Sequence, residues 1–385
     1  MAGAHSVAGH RGRWSGLLPE LLPFLAVVGT LAVFQFGGDA WLKALEDPAS
    51  AALFFVWLFG VMLWAAFSVV HHAEALAVAF GEPYGTLILT IAVTGIEASL
   101  IASIMLTGES APTMARDTMF AVLMIVLNGL VGTALLLGGL RHREQDFNLQ
   151  GARAFLSVLM PLAIFALVLP RFTVSTPDAT FSRSQEMIII VLTVLLYGVF
   201  LAIQTVRHRG FFQPPAVEDA GIAESKDPEP GQGSPRPLAY HFLLLILTLL
   251  PIVLLSKRLA SIVDFGIVSA GAPIALGGVI IAGLVLAPES LSAIRAALAN
   301  RLQRAINLLL GCAVATIGLT VPAVLAIGLI YGQTVTMGLD DASIVLLVLT
   351  LVVSLMTFGG PRTSLLQGAV HLVLFLVFLL LVFSP

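Results

Sequence analysis

Long apolar runs follow one another along almost the whole chain, and they decide what it can fold into. About 20 apolar residues in a helix cross a bilayer core roughly 30 Å thick. Runs of that kind occupy 17–37, 51–79, 85–107, 117–140, 154–171, 187–206, 238–256, 263–286, 304–330, 341–358 and 364–383. Because lipid cannot pair with backbone N–H and C=O groups, and the runs are too long for barrel strands, they predict helices. We therefore expect an all-α, polytopic membrane protein with about eleven transmembrane helices.

Composition supports this class and excludes others. Of the 385 residues, 58% are hydrophobic and 11% are charged, and the mean hydropathy is +1.01, far above that of a soluble domain. A net charge of −3 offers no basic surface for nucleic acid. The single cysteine, Cys312, excludes an internal disulfide and a multi-cysteine metal cluster. The lipid bilayer is the expected partner, and the sequence does not define an oligomeric state.

One polar stretch divides the chain into two matched parts. Residues 207–237 are rich in proline and mixed in charge, which is typical of a solvated linker. The predicted order is an N-terminus at 1–16, a leading helix at 17–37, a first repeat at 51–206, the linker at 207–237 and a second repeat at 238–383. An odd number of helices in each repeat makes equivalent helices cross in opposite directions, so we predict an inverted repeat of 5+5 helices.

The arginines predict the orientation of the chain in a bacterial inner (plasma) membrane. Arg11 and Arg13 precede the leading helix, and Arg141, Arg143 and Arg153 fall in a loop on the same side. Because cytoplasmic loops carry an excess of Lys and Arg, we expect a cytoplasmic N-terminus and a periplasmic C-terminus. No small-residue cleavage site follows the first apolar run, so we expect this helix to be retained.

Two glutamates lie in or beside apolar runs, where an ionisable side chain costs several kcal/mol. Glu97 lies in the middle of its run, within TGIEAS. It is expected to face a cavity, a partner or an ion, and the alternative is a protonated side chain bonded to a neighbouring helix. Glu289 lies at the end of a run, where Pro288 is expected to interrupt the helix and expose backbone groups suited to ion coordination. Alternatively, Glu289 begins a cytoplasmic helix at the interface.

Three further residues are weaker candidates for a cation- or proton-binding site. Glu74 lies in HHAEALA, whose adjacent His71 and His72 have poor spacing for a metal site. Asn128 interrupts an apolar run and either donates an oxygen to a hard cation or bonds a neighbouring helix. Thr94 either contributes a hydroxyl group or simply packs. The chain lacks a P-loop, an H-E-x-x-H pattern and a G-x-S-x-G turn, so we expect neither ATP hydrolysis nor an enzyme.

Four segments resemble the calcium/proton exchanger family of the cation/calcium exchanger superfamily, and are most similar to its bacterial sodium/calcium:proton antiporter branch. They are GEPYGTLILTIAVTGIEASLIASIML, ARDTMFAVLMIVLNGLVGTALLLGGLRHREQDFNLQGA, GLVLAPESLSAIRAALANRLQRAINLLLG and TIGLTVPAVLAIG. The resemblance implies that Glu97 and Glu289 are the acidic, metal-binding positions of the family's two repeat motifs, written G-N-A-x-E. It also matches Glu74 and Asn128 to polar positions of neighbouring helices. Both motifs here lack the asparagine that helps to bind Ca²⁺ in the family, so Na⁺ and K⁺ are expected substrates besides Ca²⁺.

Physical chemistry supplies a mechanism for such a pair. A carboxyl group in a partly dehydrated cavity holds its proton tightly, and a bound cation favours release of that proton. Proton and cation therefore compete for Glu97 and Glu289. We expect a secondary active antiporter that exchanges cytoplasmic Na⁺, Ca²⁺ or K⁺ for protons by alternating access, with no cofactor besides the transported ions. The alternatives are a passive cation channel and, less favoured, an intramembrane enzyme.

Overall fold

The computed structural model describes residues 18–37, 47–81, 84–106, 113–215, 236–273 and 275–384. Helices form most of this part of the chain. They are α1 Leu18–Phe36, α2 Pro48–Phe80, α3 Tyr84–Leu106, α4 Met114–His142, α5 Leu149–Phe172, α6 Arg183–Arg207, α7 Leu238–Ala270, α8 Ala275–Leu298, α9 Leu302–Tyr331, α10 Asp341–Thr357 and α11 Leu365–Phe383. A 3₁₀ turn at Arg209–Phe212 follows α6, and two short antiparallel strands, β1 Glu144–Asp146 and β2 Arg362–Ser364, join the loops after α4 and α10.

The helices confirm the prediction of an all-α, polytopic membrane protein. Eight of the described helices are at least 18 residues long and apolar enough to cross a membrane, whereas α1, α3 and α10 contain shorter apolar windows. The total of eleven crossings stays a prediction. The predicted N-terminal segment 1–16 and residues 216–235 of the predicted linker lie outside the described residues.

The boundary between α7 and α8 differs from the one that hydropathy predicts. The predicted spans 238–256 and 263–286, with Lys257 and Arg258 in a loop between them, are wrong. α7 continues to Ala270, and the chain turns at Gly271, which has φ 63°. A helix of this length is about 50 Å long, so it extends beyond a hydrocarbon core of about 30 Å and can carry charged residues near its end.

The first helices of the two halves lie side by side. α2 and α7 pack along their lengths, and α1 packs against both. His72, in the last third of α2, contacts His241, in the first turn of α7. Because the two helices overlap over much of their length, this contact requires them to run antiparallel, as expected for equivalent helices of an inverted repeat.

Glycines bring α4 and α11 into backbone contact. A Cβ atom at Gly368 would lie 2.5 Å from the backbone nitrogen of Leu136 and 2.9 Å from the carbonyl oxygen of Gly132. Small residues allow such close approach of helices within a membrane. The contact lies directly after the segment in which the backbone of α4 leaves the regular α-helical pattern, Ile125–Leu130.

We predict that Gly368→Ala lowers the thermal midpoint of the purified protein in detergent. The added methyl group has no space, and overpacking of this kind costs about 1–3 kcal/mol. Gly198→Ala is the matched control, because a Cβ atom there meets no other atom within 4 Å. Equal midpoints for the two variants would contradict the close contact.

Candidate functional site: a buried carboxyl pair

Glu97 and Glu289 are both sealed inside the protein. Glu97 lies in the middle of α3 and is 1% exposed, and Glu289 lies within α8 and is 0% exposed. α3 and α8 pack against each other and against α9. The two carboxyl groups are close enough for their charges to interact. The fold therefore brings together the two glutamates that the sequence singled out.

The helix around Glu289 corrects one expectation. Pro288 does not interrupt the helix, because α8 runs without a break from Ala275 to Leu298. Glu289 is therefore not the start of an interfacial helix, and no broken helix exposes backbone carbonyls beside it. A proline removes one backbone hydrogen bond, which a transmembrane helix tolerates when it is packed among other helices.

Most of the oxygen atoms of the pair have no protein partner. The Thr316 hydroxyl donates a hydrogen bond to Oε2 of Glu97 at 2.7 Å. Oε1 of Glu97 and both carboxyl oxygens of Glu289 have no hydrogen-bond partner among the described residues. A buried carboxylate without partners is strongly unfavourable, so each group requires a proton or a cation.

Three more buried polar side chains lie on α3 and α9, within one or two helical turns of Glu97 or of its partner Thr316. Thr94 lies one turn before Glu97 and is 1% exposed, and its hydroxyl group has no partner in the described part of the chain. Thr320, one turn after Thr316, is buried in the same way. Cys312, one turn before Thr316, is fully buried and interacts with Glu289. The site therefore offers two carboxyl groups, three hydroxyl groups and a thiol.

Cys312 is the residue of this site that the sequence prediction did not include. Its four-residue spacing from Thr316 and Thr320 places all three on one face of a helix and is the sequence signal that points to it.

The helix after each glutamate helix contains a π-helical segment. These segments are Ile125–Leu130 in α4 and Thr316–Thr320 in α9. Asn128 lies 31 residues after Glu97, and Thr320 lies 31 residues after Glu289. π-helical turns are rare and are common at functional sites. α5 and α6 contain π-helical segments too, at Ile164–Val168 and Ile203–Arg207, so the equal spacing from the two glutamates, and not the π turn alone, relates α4 to α9.

Asn128 is engaged in a separate hydrogen-bond network. Its amide nitrogen donates to the Thr350 hydroxyl at 2.8 Å, and its carbonyl oxygen lies 3.1 Å from Nδ1 of His371. Nε2 of His371 lies 2.9 Å from the Thr357 hydroxyl. This geometry favours the second reading of Asn128, in which the side chain joins α4 to α10 and α11.

Glu74 accepts a hydrogen bond from a residue that lies one helical turn after Glu289. Its Oε1 accepts a hydrogen bond from the Ser292 hydroxyl at 2.7 Å, and Ser292 lies one turn after Glu289 on α8. Glu74 therefore ties α2 to the helix that carries Glu289. Within the described ranges, no group of three or more His, Cys, Asp or Glu residues could hold a metal ion. The donor set suits a cation that binds and leaves better than a resident metal.

The match to a known protein family falls into the same two halves of the chain. Residues 50–206 and 240–384 match the family model described as sodium/calcium exchanger protein. The chain is 46% identical over 328 residues to the putative ionic transporter y4hA of Sinorhizobium fredii, which covers 85% of this chain and 87% of that protein. It is 39% identical over 364 residues to the sodium-potassium/proton antiporter ChaA of Escherichia coli, with 94% and 95% covered.

The fold is similar to a solved structure as well. The crystal structure of the H⁺/Ca²⁺ exchanger CAX superposes with a TM-score of 0.67 at 15% identity and covers 95% of this chain and 88% of that one. At this identity the similarity is one of fold alone.

We predict that Thr316→Val weakens cation binding by about 10- to 100-fold. The substitution removes the one hydrogen bond that the described residues give to the pair, and hydrogen bonds to charged groups contribute about 1.5–3 kcal/mol. Calorimetric titration of the purified protein with Na⁺, K⁺ and Ca²⁺ measures the loss. Thr316→Ser keeps the hydroxyl group and is expected to bind within about threefold of the wild type. Equal loss in both variants would point to packing instead.

Proposed function

Because the chain belongs to the sodium/calcium exchanger protein family, we propose that it is a secondary antiporter that exchanges a cation for protons at Glu97 and Glu289. The observation that carries this proposal is the pair itself, two buried carboxyl groups with three of their four oxygens unpartnered among the described residues. The names of relatives with matching length support an antiporter over a channel. The family expected from the sequence is thus confirmed.

Competition for one pair of carboxyl groups couples the two fluxes. When the pair binds a cation it must release protons, and when it takes up protons it must release the cation. A charged, empty pair is the least stable state, because burial excludes bulk water and the described residues give the pair a single hydrogen bond, from Thr316. If only the occupied states change the side to which the site opens, movement of a cation in one direction obliges protons to move in the other. Alternating access then needs no energy source besides the gradients of the two ions.

The burial of both carboxyl groups argues against a continuous open pore through this site. Both carboxyl groups are almost completely inaccessible, so ions cannot reach them without a change of conformation. A passive channel would require an open or gated water path past the same groups. We also propose that the chain performs no enzymatic reaction and uses no cofactor besides the ions that it transports.

We propose Na⁺ and K⁺ as the main substrates, with Ca²⁺ as the alternative. The relative that is 39% identical is named a sodium-potassium/proton antiporter, whereas relatives of 22–27% identity are named Ca²⁺/H⁺ antiporters. Ca²⁺ takes six to eight oxygen ligands, while this site adds hydroxyl groups and a thiol to its two carboxyl groups. The motif asparagines, which would add amide oxygens, are missing.

We propose that the protein lies in a bacterial inner membrane with its N-terminus in the cytoplasm and its C-terminus in the periplasm. Glu20, at the start of α1, forms an ion pair with Arg236, just before α7, so these two helix ends lie on one face. Arg141 and Arg143, at the end of α4, and Arg207, at the end of α6, belong to that face by the number of crossings. An excess of arginine is typical of the cytoplasmic side.

We predict that Glu97→Gln and Glu289→Gln each abolish ΔpH-driven cation exchange in everted vesicles while the protein still folds. A glutamine keeps the size of the side chain but cannot alternate between a proton and a cation. Glu186→Gln is the matched control, because Glu186 is also largely buried but lies in the first turn of α6. Unimpaired exchange by Glu97→Gln would overturn the assignment, and cation flux without proton counterflow in the wild type would favour a channel.

We also predict that the apparent affinity for the cation falls as the pH on the same side falls. Protons and cations compete for the same carboxyl groups, so KM should rise by up to about tenfold per pH unit for each proton displaced per cation, by mass action. Proteoliposomes with a fluorescent pH indicator measure both KM and the released protons for Na⁺, K⁺ and Ca²⁺. A KM independent of pH, with only the maximal rate changing, would contradict direct competition.

A further inference from the structure

A thiol group lies beside the carboxyl pair, and no step of the proposed exchange uses it. Cys312 on α9 is 0% exposed. Its thiol interacts with the Glu289 carboxyl group and with the Thr316 hydroxyl group, and it is close enough to Glu97 for the two groups to interact through their charges. A buried cysteine that only fills space packs as a small apolar residue. The thiol of Cys312 instead faces the polar groups of the candidate site.

The carboxyl group of Glu289 is an independent sign that this place holds a ligand. It is 0% exposed, and neither of its oxygens has a hydrogen-bond partner among the described residues. A thiol is a weak hydrogen-bond donor, so the contact with Cys312 leaves the carboxyl group largely unsatisfied. The two side chains therefore offer a bound ion one oxygen ligand and one sulfur ligand, both inaccessible to water in this conformation.

Sulfur and oxygen ligands select different cations. Na⁺, K⁺ and Ca²⁺ are hard cations that bind oxygen, whereas thiolate ligands favour soft or borderline metals such as Cd²⁺ and Zn²⁺. Cd²⁺ and Ca²⁺ have the same charge and almost the same size, so a site of carboxyl and hydroxyl groups alone separates them poorly. A thiolate beside the carboxyl group separates them in favour of Cd²⁺.

We propose that Cys312 and Glu289 bind a thiophilic divalent cation, and that this cation blocks exchange at the carboxyl pair. The inference rests on the exchange proposed above and adds a class of cation that the same site binds. As the ion binds, the Cys312 thiol loses its proton to form the bond between sulfur and metal, and the Glu289 carboxyl group loses its proton to bind through oxygen. Both protons pass to the solvent while the site is open, so one divalent cation replaces two protons.

The bond to sulfur is the reason why such an ion blocks exchange. A metal–thiolate bond is stronger than the contacts between a hard monovalent cation and oxygen ligands, so the ion leaves slowly. A resident structural metal has four protein ligands, and within the described ranges no group of three or more His, Cys, Asp or Glu residues could hold one. Two such ligands fit an inhibitor that a chelator removes.

Binding is tested without transport, on the purified full-length protein in detergent. Cd²⁺ bound to a thiolate has an ultraviolet charge-transfer band, and because Cys312 is the only cysteine, the band reports this thiol alone. We expect the band to saturate at one Cd²⁺ per chain and to disappear with EDTA, and Ca²⁺ to displace Cd²⁺ only at about 100-fold excess or more. Absence of the band in the wild type would overturn the proposal, whether or not any variant folds.

The part played by Glu289 is tested with the same band. Glu289→Gln is expected to weaken Cd²⁺ binding by about 10- to 100-fold or more, since even the loss of a partner outside the metal's own ligands has an effect of that size. Glu186→Gln is the matched control, because Glu186 is also largely buried but lies in the first turn of α6, and it should bind Cd²⁺ like the wild type. Equal affinity in the two variants would mean that the thiol binds without Glu289 and would overturn the site.

The block is tested in proteoliposomes with an imposed ΔpH. Inhibition by Cd²⁺ is measured as a fraction of each variant's own uninhibited rate, and the half-inhibitory concentration should rise about 100-fold in Cys312→Ser, which replaces sulfur by oxygen. An equal half-inhibitory concentration in the wild type and Cys312→Ser would overturn the block at this thiol. Exchange without a charge-transfer band would overturn the metal site alone, whereas a band without any exchange would overturn the proposed function and the block but support the metal site.

Discussion

The structure depends on the cost of holding a carboxyl group in a dry interior. A buried carboxylate without partners is strongly unfavourable, and Oε1 of Glu97 and both carboxyl oxygens of Glu289 have no hydrogen-bond partner in the described chain. The protein supplies one hydroxyl donor, from Thr316, and leaves the other three oxygens open. Because three carboxyl oxygens have no protein partner, the stability of the buried pair depends on the proton or cation that it binds. If the protein satisfied every oxygen, the pair would be a stable structural element and would bind cations weakly.

The state of hydrogen bonding separates the polar groups inside the membrane into two kinds. Every polar atom of the Asn128 side chain has a partner, and His371 bonds through both of its nitrogens. Such a network joins helices and fixes their relative positions. Both oxygens of Glu289 and the hydroxyl groups of Thr94 and Thr320 have no partner among the described residues. Sequence alone ranks Asn128 beside the glutamates, because a polar residue in an apolar run is equally visible in both cases, and only the contacts distinguish them.

Hydropathy predicted the helices well where one helix crosses the membrane and ends soon after it. It located Glu97 inside a helix for the same reason, since an acidic residue in the middle of an apolar run cannot be assigned to a loop. It failed at α7 and α8. α7 is longer than a bilayer is thick, and the polar second part of α8, including Glu289 and Ser292, is covered by other helices. A residue that is protected by protein looks the same in sequence as one exposed to water, so the predicted run ended before Glu289 and left an interfacial position open as the alternative.

The π-helical segments could not be predicted from composition at all. A π turn lacks a residue signature, and it persists where packing against neighbouring helices offsets its poorer hydrogen bonding. In α4 the close contact of Gly132 with Gly368 provides that packing, and in α9 the Tyr197 ring lies against Gly318. The same property makes these segments suitable places for movement. A helix can change register locally at a π turn by exchanging one set of backbone hydrogen bonds for another, at a smaller cost than bending a regular helix. Thr316 and Thr320 lie in such a segment, whereas Glu97 and Glu289 lie in regular helices. The candidate site thus combines two carboxyl groups on regular helices with hydroxyl groups on a π-helical segment.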